Sequence, residues 1–409
     1  MLYLALVLGA AAGPVPIQSD SSLTIGAARA LAREANPRIR AARSAVAAAQ
    51  ANARQAGALR DPSIVVAREQ TSGAVWQNTA LLDQPLELLG QRGARAAAGR
   101  ARVTVAELAL AATVRSVESE VAAAFAAAQA AERGLELADS MVAAFGRADR
   151  ILSLRVREGD ASGYAVRRLR LEASRYEGAL TAALARRAEA HAALQILLGR
   201  DPAGPPWVLT GSFPIAPLPV SRDSLVVLAA AVDGRAAVAT ALARAAEAEV
   251  TRLRRERIPV VSLGVGYKEE RAGAQERSSG YLVQLSLPLP LWRGRGAAVA
   301  AGIAEADRLT ALAGEATLIA RRDALAMADR ADATARHHAA LSARLGSEAA
   351  AARHAADVAF SEGEMTLIEW LDAVRAFQEA SVEAANLIAD FVARTAELER
   401  LTGLTLLER

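Results

Sequence analysis

The sequence predicts a mainly α-helical protein with a β part, built from two copies of one structural unit. Three observations lead to this prediction: long Ala-rich segments without proline, two similar glycine turns about 200 residues apart, and short segments in which apolar and polar residues alternate. The 409 residues are 53% hydrophobic but only 4% aromatic. Small apolar residues favour long, closely packed helices over a thick aromatic-rich core.

The longest predicted helix runs from Gln91 to Arg155, a stretch that contains no proline. At 1.5 Å per residue it would be about 95 Å long, which exceeds the diameter of an ordinary domain. A turn at residues 158–162 ends it, and a turn of the same kind follows at residues 362–366. Each turn joins two long helices, so we expect two long antiparallel helical hairpins.

The turns and helix ends of the first half recur in the second half in the same order. Gly159 aligns with Gly363, and Leu198-Gly199 aligns with Thr402-Gly403, both at an offset of 204. We therefore predict a tandem duplication, in which each half reads helix, strand, strand, long helix, turn, helix. The expected boundaries are a leader at 1–20, a first repeat at 21–202, a Pro-rich linker at 203–222 and a second repeat at 223–409.

Four segments are predicted to be strands, at about residues 63–70, 78–89, 260–270 and 280–291. In the second pair, apolar residues alternate with small or polar ones, so one face of the sheet would be apolar. Strands of about 8 to 12 residues can cross a bilayer when tilted. The positions expected to face lipid are Val261, Leu263, Val265, Tyr267, Tyr281, Val283, Leu285 and Leu287.

The first pair of strands fits this pattern less well. Arg68 falls on the face that should be apolar, whereas Asp83 aligns with the inward-facing Ser286. Four strands cannot close a membrane barrel alone, so several chains would have to share one.

The N-terminus is a short apolar run that ends in small residues near Ala10–Ala12, as in a secretory signal. The alternatives are that the run is a short buried helix, or that the first methionine of the protein has been assigned slightly wrongly. No later stretch has 18 consecutive apolar residues, so we expect no transmembrane helix.

Composition and motifs argue against nucleic-acid binding, catalysis and a dedicated metal site. The net charge is only +3 and the chain has no cysteine. The motifs of phosphate loops and of zinc proteases are absent. Adjacent helical residues point about 100° apart, so His337 and His338 would not chelate one ion together. We expect these two histidines and His354 to be surface residues, and we expect no cofactor.

Several segments together resemble the TolC family of outer-membrane efflux channels, and most of all its heavy-metal branch. They are Leu23-Thr24-Ile25, Asn36-Pro37, the run from Gln84 to Gly93, the run from Pro288 to Trp292, and the two glycine turns. The resemblance covers roughly residues 22–405. It rests on the order, spacing and duplication of these segments.

The resemblance implies a homotrimer. Each protomer would give four strands to a shared twelve-stranded β-barrel in the outer membrane, and its helices to a long α-helical barrel in the periplasm. Substrate, heavy-metal cations or drugs, would pass from an inner-membrane pump of the RND type, through a periplasmic adaptor protein and this channel, to the exterior. No chemistry would be required of the chain itself.

In the family, the glycine turns are the periplasmic tips, which meet the adaptor and close the channel. The matching positions are Gly159, Asp160, Ser162, Gly363, Glu364 and Thr366. Glu369 and Asp372 match acidic residues that narrow the pore, and three copies of each would form rings that attract cations. The arginines that could pair with them in a closed state are Arg167, Arg168 and Arg375.

The residue-level reading leaves alternatives open. The charges near the second turn could be solvated charges of amphipathic helices, and Trp370 is expected to pack in the core. The same fold would also suit a conduit for protein or polysaccharide secretion. A protein of a different class, a soluble long-helix scaffold with a small β cap, is the remaining alternative.

Overall fold

The structure is a computed structural model, which describes residues 22–71, 75–272, 276–289, 294–345 and 350–407. The expected leader at 1–20 and Trp292 lie outside the described residues.

The two halves of the chain repeat one order of elements. The first half contains β1 (Ser22–Leu23), α1 (Ile25–Ala35), α2 (Pro37–Gly57), β2 (Ser63–Thr71), β3 (Val75–Leu86), α3 (Gln91–Glu158) and α4 (Gly163–Leu197). The second contains β4 (Val208–Leu209), α5 (Arg222–Val232), α6 (Gly234–Glu256), β5 (Val261–Ala272), β6 (Glu276–Ser286), α7 (Arg295–Arg344), α8 (Ala350–Glu362) and α9 (Leu367–Thr402).

Each half begins with a helix that is interrupted at a buried polar residue. The side chain of Asn36 caps α2 by accepting a hydrogen bond from the Arg38 amide at 2.8 Å. Asp233 caps α6 in the same way, accepting from the Ala236 amide at 3.0 Å. Pro37 occupies the first turn of α2, where its missing N–H costs nothing. The first helical segment therefore breaks at Asn36-Pro37.

The segment Arg222–Glu256 is, by length and composition, the one described helical segment apolar enough to cross a membrane. It consists of two helices that meet at Asp233, whose carboxylate accepts a hydrogen bond from Arg400 Nη1 at 3.1 Å. α5 packs on α7 and α9, and α6 packs on α3 and α7. A buried ion pair at the break and neighbours along both helices are features of helices in a protein core.

The long helices pack closely because their facing residues are small. α3 has 68 residues, about 100 Å at 1.5 Å per residue, which confirms the expectation of a helix far longer than a domain. It packs against α2, α4, α6 and α9. Eight of its 18 buried residues are alanines, and Val117, Val121, Phe125 and Phe145 are among the larger ones.

The sheet lies at one end of the helices. Its strands pair antiparallel throughout, in the order β2-β3-β5-β6. In the part of the chain that the structure describes, β2 and β6 are the edges, and the outer side of each is unpaired. Each strand has its helix at the same end of the sheet, so the two hairpin turns lie at the end farthest from the helices.

The register places the eight predicted apolar positions on one face. Seven of them are in β5 and β6, and Leu287 directly follows β6. Leu263 pairs with Leu285, Val265 with Val283, and Tyr267 with Tyr281. The first two strands add Ile64, Val66 and Leu82 to the same face. Most of these side chains are exposed, up to 93% for Tyr281. We call this face the apolar band.

Arg68 lies on the face of the apolar band, as its position in the alternation predicts, but beyond the last row of the band. It pairs with Asn78, in the row of Glu269 and Ser279. That row lies one step beyond the last apolar row, on the side of the hairpin turns. Asp83 lies on the opposite face, between Ser63 and Gly264.

Two strands and the linker differ from the expected boundaries. β3 spans 75–86 rather than 78–89, and a turn at 88–89 leads from it to Gly90, the left-handed N-cap of α3 (φ 84°). β6 spans 276–286 rather than 280–291, and Pro288 beyond it has no N–H for a ladder. The linker expected at 203–222 contains β4, which pairs in parallel with β1, and α5 already begins at Arg222.

The face opposite the apolar band contains two glycines that leave room for Leu81, which is buried. A Cβ atom at Gly266 would lie 2.2 Å from the Ala80 carbonyl oxygen and 2.9 Å from Leu81 Cα. Neither backbone atom can move without disturbing the pairing of β3 and β5.

We therefore expect Gly266→Ala to destabilise the sheet by about 1–3 kcal/mol, as overpacking does. Thermal unfolding of the purified protein in detergent, followed by circular dichroism, measures this loss. Gly280→Ala is the matched control, because nothing lies within 4 Å of a Cβ atom there. Equal unfolding midpoints for the two variants would contradict the prediction.

Candidate functional site at the helical tips

Both hairpins turn at a glycine in the left-handed conformation. Gly159 and Gly363 each have a φ of 88°, which side-chain-bearing residues rarely adopt. The Asp160 amide donates to the Arg155 carbonyl at 2.8 Å, and the Glu364 amide donates to the Ala359 carbonyl at 2.9 Å. These bonds close the C-termini of α3 and α8 in the same way, so the two tips are built alike.

The helices that leave the tips are capped by hydroxyl side chains. Ser162 Oγ accepts from the Tyr164 amide at 3.1 Å, and Thr366 Oγ1 accepts from the Glu369 amide at 3.4 Å. Glu369 completes a capping box, because its Oε2 accepts from the Thr366 amide at 2.9 Å and from Thr366 Oγ1 at 2.7 Å.

These bonds from Thr366 hold the pKa of Glu369 below its ordinary value. The cap stabilises α9 fully above the ordinary glutamate pKa, and the stabilisation is lost as the pH falls through the lowered pKa. Glu369 therefore has a local structural function in the protomer, in addition to the gate function expected from the sequence.

The other expected gate residues are spread over the tip. Asp372 is exposed. Arg375 Nη2 lies 3.7 Å from the carboxylate of Glu172 on α4. Among the described residues, the structure brings no arginine of the expected set (Arg167, Arg168 and Arg375) within ion-pair distance of Glu369 or Asp372. A latch between these groups would thus have to form between protomers.

A cluster of aromatic side chains lies directly beneath the tips. Trp370 is buried, as expected, and stacks on Phe360 at 5.1 Å between ring centroids. It also contacts Phe145 edge to face, at 5.2 Å between ring centroids. Its indole Nε1 donates to Asp357 Oδ1 at 2.8 Å. The cluster contains residues of α3, α4, α8 and α9, so it joins both hairpins.

Arg155 joins the two tips directly, which sequence reasoning did not foresee. Its Nη2 donates to the carbonyl oxygens of Phe360 and Ser361, at 2.8 Å each. Those carbonyls end α8, where a positive charge is favoured by the helix dipole. A basic residue in the last turn of α3 was visible in the sequence, but its partner on another helix was not.

Two exposed apolar side chains occupy equivalent positions at the tips. Tyr164 is 66% exposed and Ile368 is 51% exposed. Each is the second residue of the helix that leaves its tip. Sequence reasoning missed both, although their offset of 204 equals that of the two glycines. Exposed apolar side chains that recur at one end of a molecule suit contact with another protein.

Carboxylates recur along one face of α9. Asp372, Glu379, Glu383 and Asp390 follow one another at intervals of seven, four and seven residues, which places them on the same side of the helix. The last three, with Glu172 and Tyr176 of α4, line a groove of about 830 Å³ between α4 and α9. The groove is thus predominantly acidic, with Arg175 and Arg375 as its basic residues.

The histidines do not form a metal site in the described residues, where no three side chains of the ligating types come together. His337 Nε2 lies 3.1 Å from Glu383 Oε1, with both side chains more than half exposed. His354 is exposed, whereas His338 is half-buried, and desolvation lowers its pKa.

Known proteins share this architecture over nearly the whole chain. No family model matches the sequence. The cobalt-zinc-cadmium resistance protein CzcC of Cupriavidus metallidurans is 23% identical over 393 residues, which are 95% of this chain and 92% of CzcC. The crystal structure of CusC, described in terms of transmembrane channel formation, has a TM-score of 0.75 at 17% identity and covers 92% of this chain and 91% of CusC.

A bacterial outer-membrane channel from another organism has a similar structure. The outer-membrane channel CmeC of Campylobacter jejuni has a TM-score of 0.76 at 15% identity, over 93% of this chain and 85% of CmeC. The chain has the fold of the TolC-family outer-membrane channels. The expected fold class, long helices with a β part that extends from them, is therefore confirmed.

The link between the two tips of this TolC fold can be tested at Arg155. Arg155→Ala removes two charge-assisted hydrogen bonds, each worth about 1.5–3 kcal/mol, and we expect the end of α8 to open locally. Amide hydrogen exchange at residues 355–363 should rise at least several-fold. Arg157→Ala is the control, because Arg157 is exposed and makes no ion pair among the described residues. Unchanged exchange in Arg155→Ala would show that the tips are held by the aromatic cluster alone.

Proposed function

We propose that this chain is the outer-membrane channel of a tripartite efflux system and that it conducts heavy-metal cations passively to the exterior. The observation that carries the proposal is a four-stranded sheet with an exposed apolar face, set at one end of helices about 100 Å long. The TolC fold supports the channel function, and the similarity to a cobalt-zinc-cadmium resistance protein supports the substrate class.

The sheet supports a position in the outer membrane. Ile64, Val66, Tyr281, Val283 and Leu285 are each at least 70% exposed on one face, which water disfavours and lipid favours. Unpaired strand edges are not tolerated in a bilayer. Three copies, joined edge to edge through β2 and β6, would satisfy both edges in a twelve-stranded barrel.

The helical tips support docking to other proteins of the system. A long helical barrel below the membrane would carry Tyr164 and Ile368 into the periplasm, together with the two glycine turns. We assign this surface to a periplasmic adaptor, through which an inner-membrane pump of the RND type would deliver substrate. The tip residues of the interface would be Gly159, Asp160, Ser162, Gly363, Glu364 and Thr366.

The carboxylates on α9 support cations as substrates. Asp372, Glu379, Glu383 and Asp390 share one face, and Glu369 lies one turn before them. In a trimer, each of these positions would occur three times around the axis, and rings of carboxylates attract cations and exclude anions. Glu369 and Asp372 lie nearest the tip, where we place the gate, with Arg167, Arg168 and Arg375 as its counter-charges.

The gate proposal can be separated from helix capping by two substitutions of one residue. Glu369→Gln removes the charge but keeps an acceptor for the capping box, whereas Glu369→Ala removes both. If the charge acts in the pore, both variants should lower the cation preference of single channels in planar bilayers, and Asp372→Asn should do the same.

Comparing the selectivity of Glu369→Gln with that of Glu369→Ala distinguishes a gate function of Glu369 from helix capping. A change in Glu369→Ala but not in Glu369→Gln would assign Glu369 to capping, and a loss of cation preference in Asp372→Asn would then leave Asp372 as the gate residue. Unchanged selectivity in all three variants, with intact channels, would contradict an acidic gate at this tip.

The substrate class and the adaptor surface can be tested together in cells. Deletion of the gene should lower tolerance to cobalt, zinc and cadmium, with little effect on common drugs.

The double variant Tyr164→Glu/Ile368→Glu should fail to restore tolerance although it forms channels, because two charges replace the apolar tip surface. Val227→Glu, at a similarly exposed apolar residue of α5, should restore it. Loss of drug tolerance alone would contradict the metal assignment.

A further inference from the structure

Three arginines lie on the sheet directly beyond the apolar band, at the end that is farthest from the helices. Arg68 is in the first polar row, and Arg271 and Arg277 pair with each other in the second. All three are on the same face as the apolar band, because they are an even number of residues from its members. We call them the arginine cluster.

The arginine cluster is only partly neutralised by its neighbours on this face, which supply one carboxylate for three arginines. Arg271 and Arg277 are directly opposite each other across β5 and β6, an arrangement in which like charges destabilise a sheet. The one carboxylate in these two rows is Glu269, which lies 3.5 Å from Arg277. Among the described residues, Arg271 has no ion-pair partner. The other members of the two rows are neutral: Gln70, Trp76, Asn78 and Ser279.

Trp76 places the cluster at the level where a bilayer changes from hydrocarbon to headgroups. The Arg68 guanidinium lies 4.2 Å from the centre of the Trp76 ring, and Trp76 pairs with Arg271 in the sheet. Tryptophan is enriched at the membrane–water interface, because its ring is apolar and its N–H is polar. One polar row, that of Arg68, separates Trp76 from the last apolar row on the helix side.

The length of the strands agrees with that level. From Val261, in the first apolar row, to Arg271 the strand advances about 33 Å at 3.3 Å per residue. A tilt of about 40° reduces this to about 25 Å, the height of the apolar zone of a membrane barrel. The helices begin at the opposite end of the sheet. If they extend into the periplasm, the cluster lies among the headgroups of the outer leaflet.

We propose that the arginine cluster binds the phosphate groups of phosphorylated glycolipids of the lipid A type in the outer leaflet. A guanidinium presents paired N–H donors that match phosphate oxygens. One phosphomonoester between Arg271 and Arg277 would turn their repulsion into two favourable contacts. The acyl chains of the same lipid would lie along Tyr281 and Val283. The inference rests on the proposed membrane position of the sheet.

The test uses the purified full-length protein and bisphosphorylated lipid A, with binding measured by native mass spectrometry. We expect wild type to retain lipid A at least tenfold more tightly than dephosphorylated lipid A. The triple variant Arg68→Gln/Arg271→Gln/Arg277→Gln should lose this preference, and Arg271→Lys/Arg277→Lys should keep part of it. Arg157→Gln, an exposed arginine at the tip, is the matched control and should keep all of it.

Each other outcome overturns the inference. If the triple variant keeps the preference, or wild type shows none, the arginines do not recognise phosphate. If inorganic phosphate at equal concentration displaces lipid A, the cluster is a general anion site and not a lipid site. Circular dichroism melting shows whether the triple variant is folded, and where it is not, the lysine variant decides.

The failure of this inference can be told apart from the failure of the proposed function. Flotation of wild type and triple variant with phosphatidylcholine vesicles tests membrane insertion without lipid phosphomonoesters. If both float and neither prefers lipid A, only the lipid inference fails. If wild type does not float, the membrane position itself is wrong.

Discussion

The four-stranded sheet, with its two unpaired edges and exposed apolar face, constrains the rest of this protein. Four strands with two unpaired edges expose backbone donors and acceptors, and their apolar band exposes side chains as large as Tyr281. In water such a sheet would aggregate, and in lipid its edges would remain unsatisfied. Both costs disappear when copies of the chain meet edge to edge inside a bilayer. The duplication supports this, since each repeat supplies one hairpin of similar length, and both hairpins contribute apolar residues to the same face.

The helices meet a different constraint, that of packing over about 100 Å with few large side chains. Alanines along α3 let its neighbours approach closely, and specificity comes from a few polar contacts. Arg29 of α1 pairs with Glu399 of α9, both buried, and Arg400 pairs with Asp233 between α5 and α6. A buried pair is costly to break from one side, at about 3–5 kcal/mol. These two pairs therefore anchor both short opening helices to the end of α9.

Features set by single residues were predictable from the sequence, and features set by partners in space were not. The glycine turns, the break at Asn36-Pro37 and the length of α3 follow from local chemistry, and the structure has all of them. The alternation of β5 and β6 predicted their shared face. The face of Arg68 was predicted correctly, but its row, which lies beyond the apolar band, depends on the register and was not predictable. The partners of Arg155 were missed because the sequence shows donors and acceptors but not which of them meet across helices. The capping box of Glu369 was missed although its Thr-x-x-Glu spacing is visible in the sequence.

The packing beneath the tips limits how a channel of this kind could open. Trp370, Phe360 and Phe145 bring α3, α8 and α9 into one core, and Arg155 ties the end of α8 to α3. Separating the hairpins of one protomer would expose this cluster and leave helix carbonyls without donors. The movement with the smallest free-energy cost is one in which both tips of a protomer move together as a rigid body. The exposed charges of Asp372 and Arg167, and the half-buried Arg168, would then change partners only between protomers, where the proposed gate would act.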